Sequence, residues 1–282
     1  MKKSYFVPEK KLRHFMKNAG MNSQEGIFLF GRTDPKVKEL LPPPLELTDA
    51  EHPLFYIYIV NIREPTFAPW YMEGGIGLMA QYKDKVGVYF LNLQLSGPGS
   101  LMGMLSGREG SGLPKKLCER ILVERVDDVA HCCIERKGVR LVDVELAIGK
   151  YNSPSFHSPA EACMNEQEPL ITGGGCLLHR YSMEMTGFKN MELFYYDSPS
   201  RYYTWEPASA KVELRSSIDD PWAEVPVVEV LGAGWSKCDN WVNSMTSLYK
   251  YRDEDTFNIM QYLFLGRYDY CTLCQCLSLI HI

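Results

Sequence analysis

No stretch of this sequence is long and apolar enough to cross a bilayer, and no apolar segment near its start has the form of a secretion signal. Positive charge is also in short supply. Thirty Lys and Arg stand against thirty-five Asp and Glu, a formal net charge of −5, so no global field favours nucleic acid or a membrane. No internal repeat is visible. Histidine is sparse, and none of His131, His157 and His179 sits in an HExxH-type arrangement. The nearest approach to a metal signature is Cys271, Cys274 and Cys276 beside His281, which lacks a second ligand pair at finger spacing; no metal is expected. The nine cysteines are an odd number without a secretion signal, which excludes a secreted disulfide scaffold and implies reduced thiols in a cytoplasm.

What is present is a chain of 282 residues, 45% hydrophobic, sufficient for a sizeable core. Residues 8–19 predict a short helix with Leu12, Phe15 and Met16 on one face. Its basic content raises a membrane-surface role, but a helix packed on the domain edge is the expected reading. Asp34-Pro35 predicts a second helix start, and Pro42-Pro43-Pro44 its end. Strands are expected at 26–30, 54–62, 79–82 and 86–95, with the last two joined through Lys83-Asp84-Lys85. Further strands at 121–126, 131–136 and 139–148 read as an antiparallel meander. After a polar linker at 152–170, more follow at 176–185, 190–196, 209–217 and 225–231. The pattern is mainly β, an antiparallel barrel or sandwich with few short helices.

The chemistry concentrates in Gly107-Arg-Glu-Gly-Ser-Gly-Leu-Pro-Lys-Lys116. Its glycines permit tight bends, and Pro114 forces Leu113 into an extended form, so the loop is shaped rather than loose. A phosphate-binding loop does not fit, because Leu113 and Pro114 separate the last glycine from the lysines and no Ser or Thr follows. Neighbouring side chains of a strand point to opposite faces, so only one of the two lysines can enter an interior. Burial and an adjacent cation both disfavour a charged amine, and the neutral form is a nucleophile. Spacing alone leaves the ordinary alternative open: most Lys-Lys pairs are solvated.

Gly107-Arg-Glu followed by Pro114-Lys-Lys-Leu117 resembles the signature of the acetoacetate decarboxylase family, the usual example of a lysine activated beside another cation. Arg32-Thr-Asp34, Leu41-Pro-Pro-Pro-Leu-Glu46 and Tyr71-Met-Glu73 resemble further family landmarks in the same order, and the likeness spans roughly residues 24–245. The resemblance implies an antiparallel meander closed into a cone-like barrel, a single domain over residues 1–269, and assembly into homo-oligomers. Residues 270–282 have no counterpart and are expected to be a non-native tail. It also implies that Lys115 forms a Schiff base with a small keto acid, that Lys116 is its electrostatic neighbour, and that Glu73 moves protons. No cofactor is called for. Gln24 and Tyr58 stand where the family carries an arginine and a glutamate, which leaves Arg108 or Arg32 to meet a substrate carboxylate. The expected activity is β-keto acid decarboxylation. The alternatives are a Schiff-base aldolase-dehydratase acting on pyruvate and an aldehyde, or a non-catalytic binding barrel.

Overall fold

A computed structural model describes residues 5–18, 20–158, 160–161, 171–172 and 174–273. The strands in chain order are β1 (Met21–Arg32), β2 (Glu46–Leu47), β3 (Leu54–Ile62), β4 (Tyr71–Tyr82), β5 (Lys85–Ser96), β6 (Lys115–Leu117), β7 (Arg120–Val126), β8 (Val129–Arg136), β9 (Val139–Ile148), β10 (Ile171–Thr172), β11 (Gly175–Glu184), β12 (Gly187–Asp197), β13 (Ser200–Leu214), β14 (Glu229–Trp241) and β15 (Ser244–Lys250). Three α-helices are described: α1 (Glu9–Asn18), α2 (Ser100–Leu105) and α3 (Thr256–Arg267). The fold is mainly β, as the sequence predicts.

All fifteen strands belong to one sheet, whose main path runs β15-β12-β11-β5-β4-β3-β1-β14-β13-β9-β8-β7. The sheet curls as a cone-like barrel does, but among the described residues β15 and β7, at the two ends of this path, are not joined by a hydrogen-bonded ladder. It is also not antiparallel throughout. β6 runs parallel to β5, because the chain leaves β5 through α2 and a π-helical turn at Ser106–Ser111 before returning alongside it, and β11 also meets β5 in parallel, at Cys176 and Val88.

The β4–β5 hairpin turns at Lys83 and Asp84 as expected, and its strands are longer than their apolar runs predict. Asp34 caps a 3-10 helix, Pro35–Leu40, by accepting from the Lys36 amide at 2.8 Å. α1 departs from expectation: it packs on no domain edge, and every residue from Tyr5 to Lys17 is exposed. The predicted tail is described only as far as Leu273; residues 274–282, with Cys274, Cys276 and His281, lie outside the described residues.

Two apolar clusters occupy the two faces of the sheet. The larger holds Leu29, Phe55, Ile57, Ile134 and Val144 with the buried side of α3. The smaller is aromatic, with Phe28, Tyr58, Tyr71, Phe90 and Trp205. Lys115 lies on the smaller side.

Candidate active site

Register puts Tyr58 on β3, Gly75 on β4, Leu93 on β5 and Lys115 on β6 in one row across the sheet. Glu73 stands two residues from Gly75 and so projects from the same face. Gly74 and Gly75 do not form the turn that a Glu-Gly-Gly sequence invites. They lie within β4, where a Cβ at Gly75 would strike Leu93 Cδ2 at 2.1 Å and one at Gly74 would meet Ile134. The glycines admit large neighbours over a bare stretch of strand.

Across that stretch Lys115 Nζ reaches Glu73 Oε2 at 2.7 Å. The other oxygen, Glu73 Oε1, accepts a hydrogen bond from Tyr58 Oη. The Lys115 and Glu73 side chains are 6% and 7% exposed, so this is a buried and fully occupied pair. The glycine loop earns its composition here. Lys115 lies directly against Gly107, where a Cβ would sit 2.7–2.9 Å from the lysine Cδ, Cε and Nζ. Gly112 closes the π-helical turn in the left-handed region at φ 85°.

Around the pair the walls are aromatic. Phe90, Tyr56 and Phe28 have ring centroids 5.6, 6.0 and 6.5 Å from that of Tyr58. Burial, and then the charge on Glu73, hold the Tyr58 and Tyr71 phenols protonated far above the ordinary tyrosine range. Burial likewise pushes the Cys176 thiol up to about 12. Tyr58 is therefore a permanent donor to Glu73.

Lys116 faces the other side, as strand alternation requires, but that side is buried too, so both lysines enter the interior rather than one. Its ammonium donates to the Asp219 carbonyl at 2.7 Å and to Asp220 Oδ1 at 3.0 Å, and lies 3.2 Å from Asp269 Oδ1. Arg136 binds the outer oxygens of both carboxylates, at 2.6 and 2.9 Å. Burial works to raise the Asp269 pKa, but Arg136, Lys137 and Lys116 override it and hold this carboxyl far below its ordinary range. The Lys116 charge is thus met by carboxylates, which offsets the cationic push on Lys115 expected from sequence adjacency.

The remaining sequence-predicted residues do not join the pair. Gln24 is half-buried and meets the Cys238 thiol. Arg32 is ion-paired with Glu229 at 3.2 Å near the surface. Arg108 pairs with Glu109 at 2.9 Å, donates to the Arg267 carbonyl and lies over the Tyr268 ring, so it braces the loop against α3. Arg267, absent from the sequence reading, ends α3 and donates to the carbonyls of Gly112 at 2.5 Å and His179 at 2.8 Å. It pins the loop that delivers Lys115. Its signal is the burial rhythm of Ile259, Met260, Leu263 and Gly266, flattened in the sequence by the exposed Phe257 and Tyr262. Among the described residues, one group could gather a metal ion: Asp219, Asp269 and Cys271. The Lys137 ammonium already rests on both of its carboxylates.

Comparison with known proteins gives a consistent result. A family model described as acetoacetate decarboxylase (ADC) matches residues 5–252. A "CLA biosynthesis isomerase" of Lactiplantibacillus plantarum is 32% identical over 275 residues, covering 94% of this chain and 95% of that protein. An acetoacetate decarboxylase of Burkholderia mallei is 25% identical over 214 residues, covering 75% and 80%. Among solved structures, an acetoacetate decarboxylase superposes with a TM-score of 0.67 at 17% identity, over 83% of this chain and 91% of that one. The enduracididine biosynthesis enzyme MppR, complexed with a pyruvate–aldehyde condensation product, superposes at 0.62 with 13% identity, over 82% and 90%.

Proposed function

The chain belongs to the acetoacetate decarboxylase family, and from that premise we propose that it is an enzyme in which Lys115 forms a Schiff base with a largely apolar ketone and Glu73 moves protons beside the carbonyl. The reaction we assign first is migration of a carbon–carbon double bond into conjugation with that carbonyl. The carrying observation is the Glu73 carboxylate, held between the Lys115 amine and the Tyr58 phenol inside an aromatic wall.

The steps follow from the hydrogen bonds. Within the 2.7 Å contact, Glu73 takes a proton from the Lys115 ammonium, exchanging two buried charges for two neutral groups. The free amine adds to the substrate carbonyl, and its proton passes to the oxygen. Glu73 then protonates the departing hydroxyl, so that water leaves and a protonated imine remains. With Glu73 again a carboxylate, it removes a proton from the carbon next to the imine, and the electron pair enters the imine as an extended enamine. Returning that proton to the far end of the enamine moves the double bond. Water then releases the product and restores Lys115. Tyr58 keeps Glu73 aimed throughout.

Two observations favour this reading over decarboxylation of a small keto acid. Arg32 and Arg108, the candidates for gripping a carboxylate, are engaged elsewhere. The relative that is 32% identical over nearly its whole length carries the name of an isomerase. Decarboxylation of a β-keto acid is the second reading, supported by the 25% identical decarboxylases. It uses the same imine: the bond to the carboxylate breaks, its electron pair enters the imine as an enamine while carbon dioxide leaves, and the enamine carbon takes a proton that Glu73 relays from water. The test is borohydride reduction in the presence of a β,γ-unsaturated ketone or a β-keto acid, followed by peptide mass spectrometry. An adduct at Lys115 is expected. Its absence with every ketone would favour a non-catalytic barrel. Ultraviolet absorbance of a conjugated ketone without carbon dioxide release supports the first reading, and carbon dioxide release supports the second.

A further inference from the structure

Two features of the surface complement each other. The first is α1. Leu12, Phe15 and Met16 recur at i, i+3 and i+4 and form an apolar ridge, all three exposed. Lys11 and Arg13 flank this ridge on its two sides, and Lys10 and Lys17 cover the opposite face. With Lys2, Lys3 and Lys11 against Glu9 alone, the first eighteen residues carry +5 in a chain of −5, which leaves −10 for everything after them.

The second feature is a groove of about 540 Å³ between α3, the Pro35–Leu40 helix and the Trp222–Glu224 turn. Its floor is apolar, with Leu40, Ile76, Leu91 and Trp222, and its rim carries Glu39 and Glu224. Both carboxylates are exposed, and neither is ion-paired among the described residues.

The helix cannot fill the groove of its own chain. The groove floor at Ile76 lies beside Ile57 and then Leu29, eight residues along β1 from Met21, where the α1 connection enters. That is about 26 Å of strand, whereas a helix of ten residues spans about 15 Å. A basic amphipathic helix on an acidic body, with an acid-rimmed apolar groove out of its own reach, fits a second copy of the same molecule. We propose that α1 of one copy seats its Leu12–Phe15–Met16 ridge in the groove of another, with Lys11 and Arg13, which flank the ridge, facing Glu39 and Glu224. When two copies exchange helices the contact is made twice and closes on itself. The recognition mode is helix-in-groove, the ridge giving affinity and the charges fixing orientation.

The test uses sedimentation of the full chain. Wild type is expected to self-associate, and Phe15→Glu and the pair Glu39→Lys/Glu224→Lys are each expected to weaken association by about tenfold or more. Circular dichroism should be unchanged, since all these side chains are exposed. Combining Lys11→Glu/Arg13→Glu with Glu39→Lys/Glu224→Lys should restore association. A monomeric wild type throughout the micromolar range overturns the proposal, as does weakening by the helix variant but not by the groove pair. Pelleting with phosphatidylserine vesicles that depends on the helix and ignores the groove, in a chain that stays monomeric, also overturns it and gives the ridge a lipid partner instead.

Discussion

Lys115 and Lys116 are covalent neighbours with opposite surroundings. On the Lys115 side one ammonium, one carboxylate and one phenol form a short chain among aromatic rings. On the Lys116 side three cations (Lys116, Arg136, Lys137) interlock with three carboxylates (Asp219, Asp220, Asp269). The first site has few partners and can change its protonation without breaking a network. The second is saturated, and any single change leaves a charge uncovered. One peptide unit therefore separates a reactive amine from a structural one, and strand alternation decides which is which.

The comparison breaks most completely at Lys115 itself. Lys115→Met is expected to abolish the borohydride adduct, read by peptide mass spectrometry. It should also destabilise the fold by up to about 3–5 kcal/mol by leaving Glu73 buried without its cation, and a second change, Glu73→Gln, should recover most of that loss in a denaturant titration. Asp220→Asn attacks the other side. Its carboxylate is fully buried between Lys116 and Arg136, so a loss of about 3–5 kcal/mol is expected, while whatever protein remains folded still forms the Lys115 adduct.

Tyr58→Phe is milder. It removes one hydrogen bond to a buried carboxylate, about 1.5–3 kcal/mol, and should slow turnover by roughly 10- to 100-fold. The adduct site should not change. A larger effect on melting temperature than on rate would show that Tyr58 serves packing instead.

Acid sharpens the contrast further. Burial alone would raise the Asp219 and Asp269 pKa values, but their cations hold both below the ordinary 3.8. A carboxyl lowered by folding contributes stability that is complete above its unfolded value and is lost as the pH falls through the folded one. The Lys116 side should thus hold its contribution above about pH 4 and lose it progressively below. Asp269→Asn should flatten that limb of a melting-temperature profile. Smallest of all, Arg32→Ala removes an exposed ion pair and should change stability by less than about 0.5 kcal/mol.

Parts of this architecture were legible without coordinates. Alternating Tyr, Ile and Val marked β3 to the residue, and the Lys83-Asp84 turn marked the β4–β5 hairpin. The start of β14 was displaced in the sequence reading. The sequence reading placed a strand at 225–231, whereas β14 runs Glu229–Trp241, and Gly234 is needed within it where the Trp205 ring presses on the backbone, with a Cβ there only 2.3 Å from it. β15 and α3 were missed, the latter because apolar residues also occupy its outer face. The closed antiparallel barrel of the expectation became a sheet with open ends and two parallel joints.

The sequence by itself determined that this chain would be mainly β, that a shaped glycine loop would present two lysines, and that a strand would send them to opposite faces. Those are local consequences of backbone geometry and of side chains a few residues apart. Only the tertiary structure decided what each lysine meets. Glu73 lies 42 residues before Lys115 in the chain, and the Asp220 carboxylate that covers Lys116 lies 104 residues after it. No periodicity encodes such distances. They are set by which strands pair, and a buried charge takes its character from the partner that pairing brings.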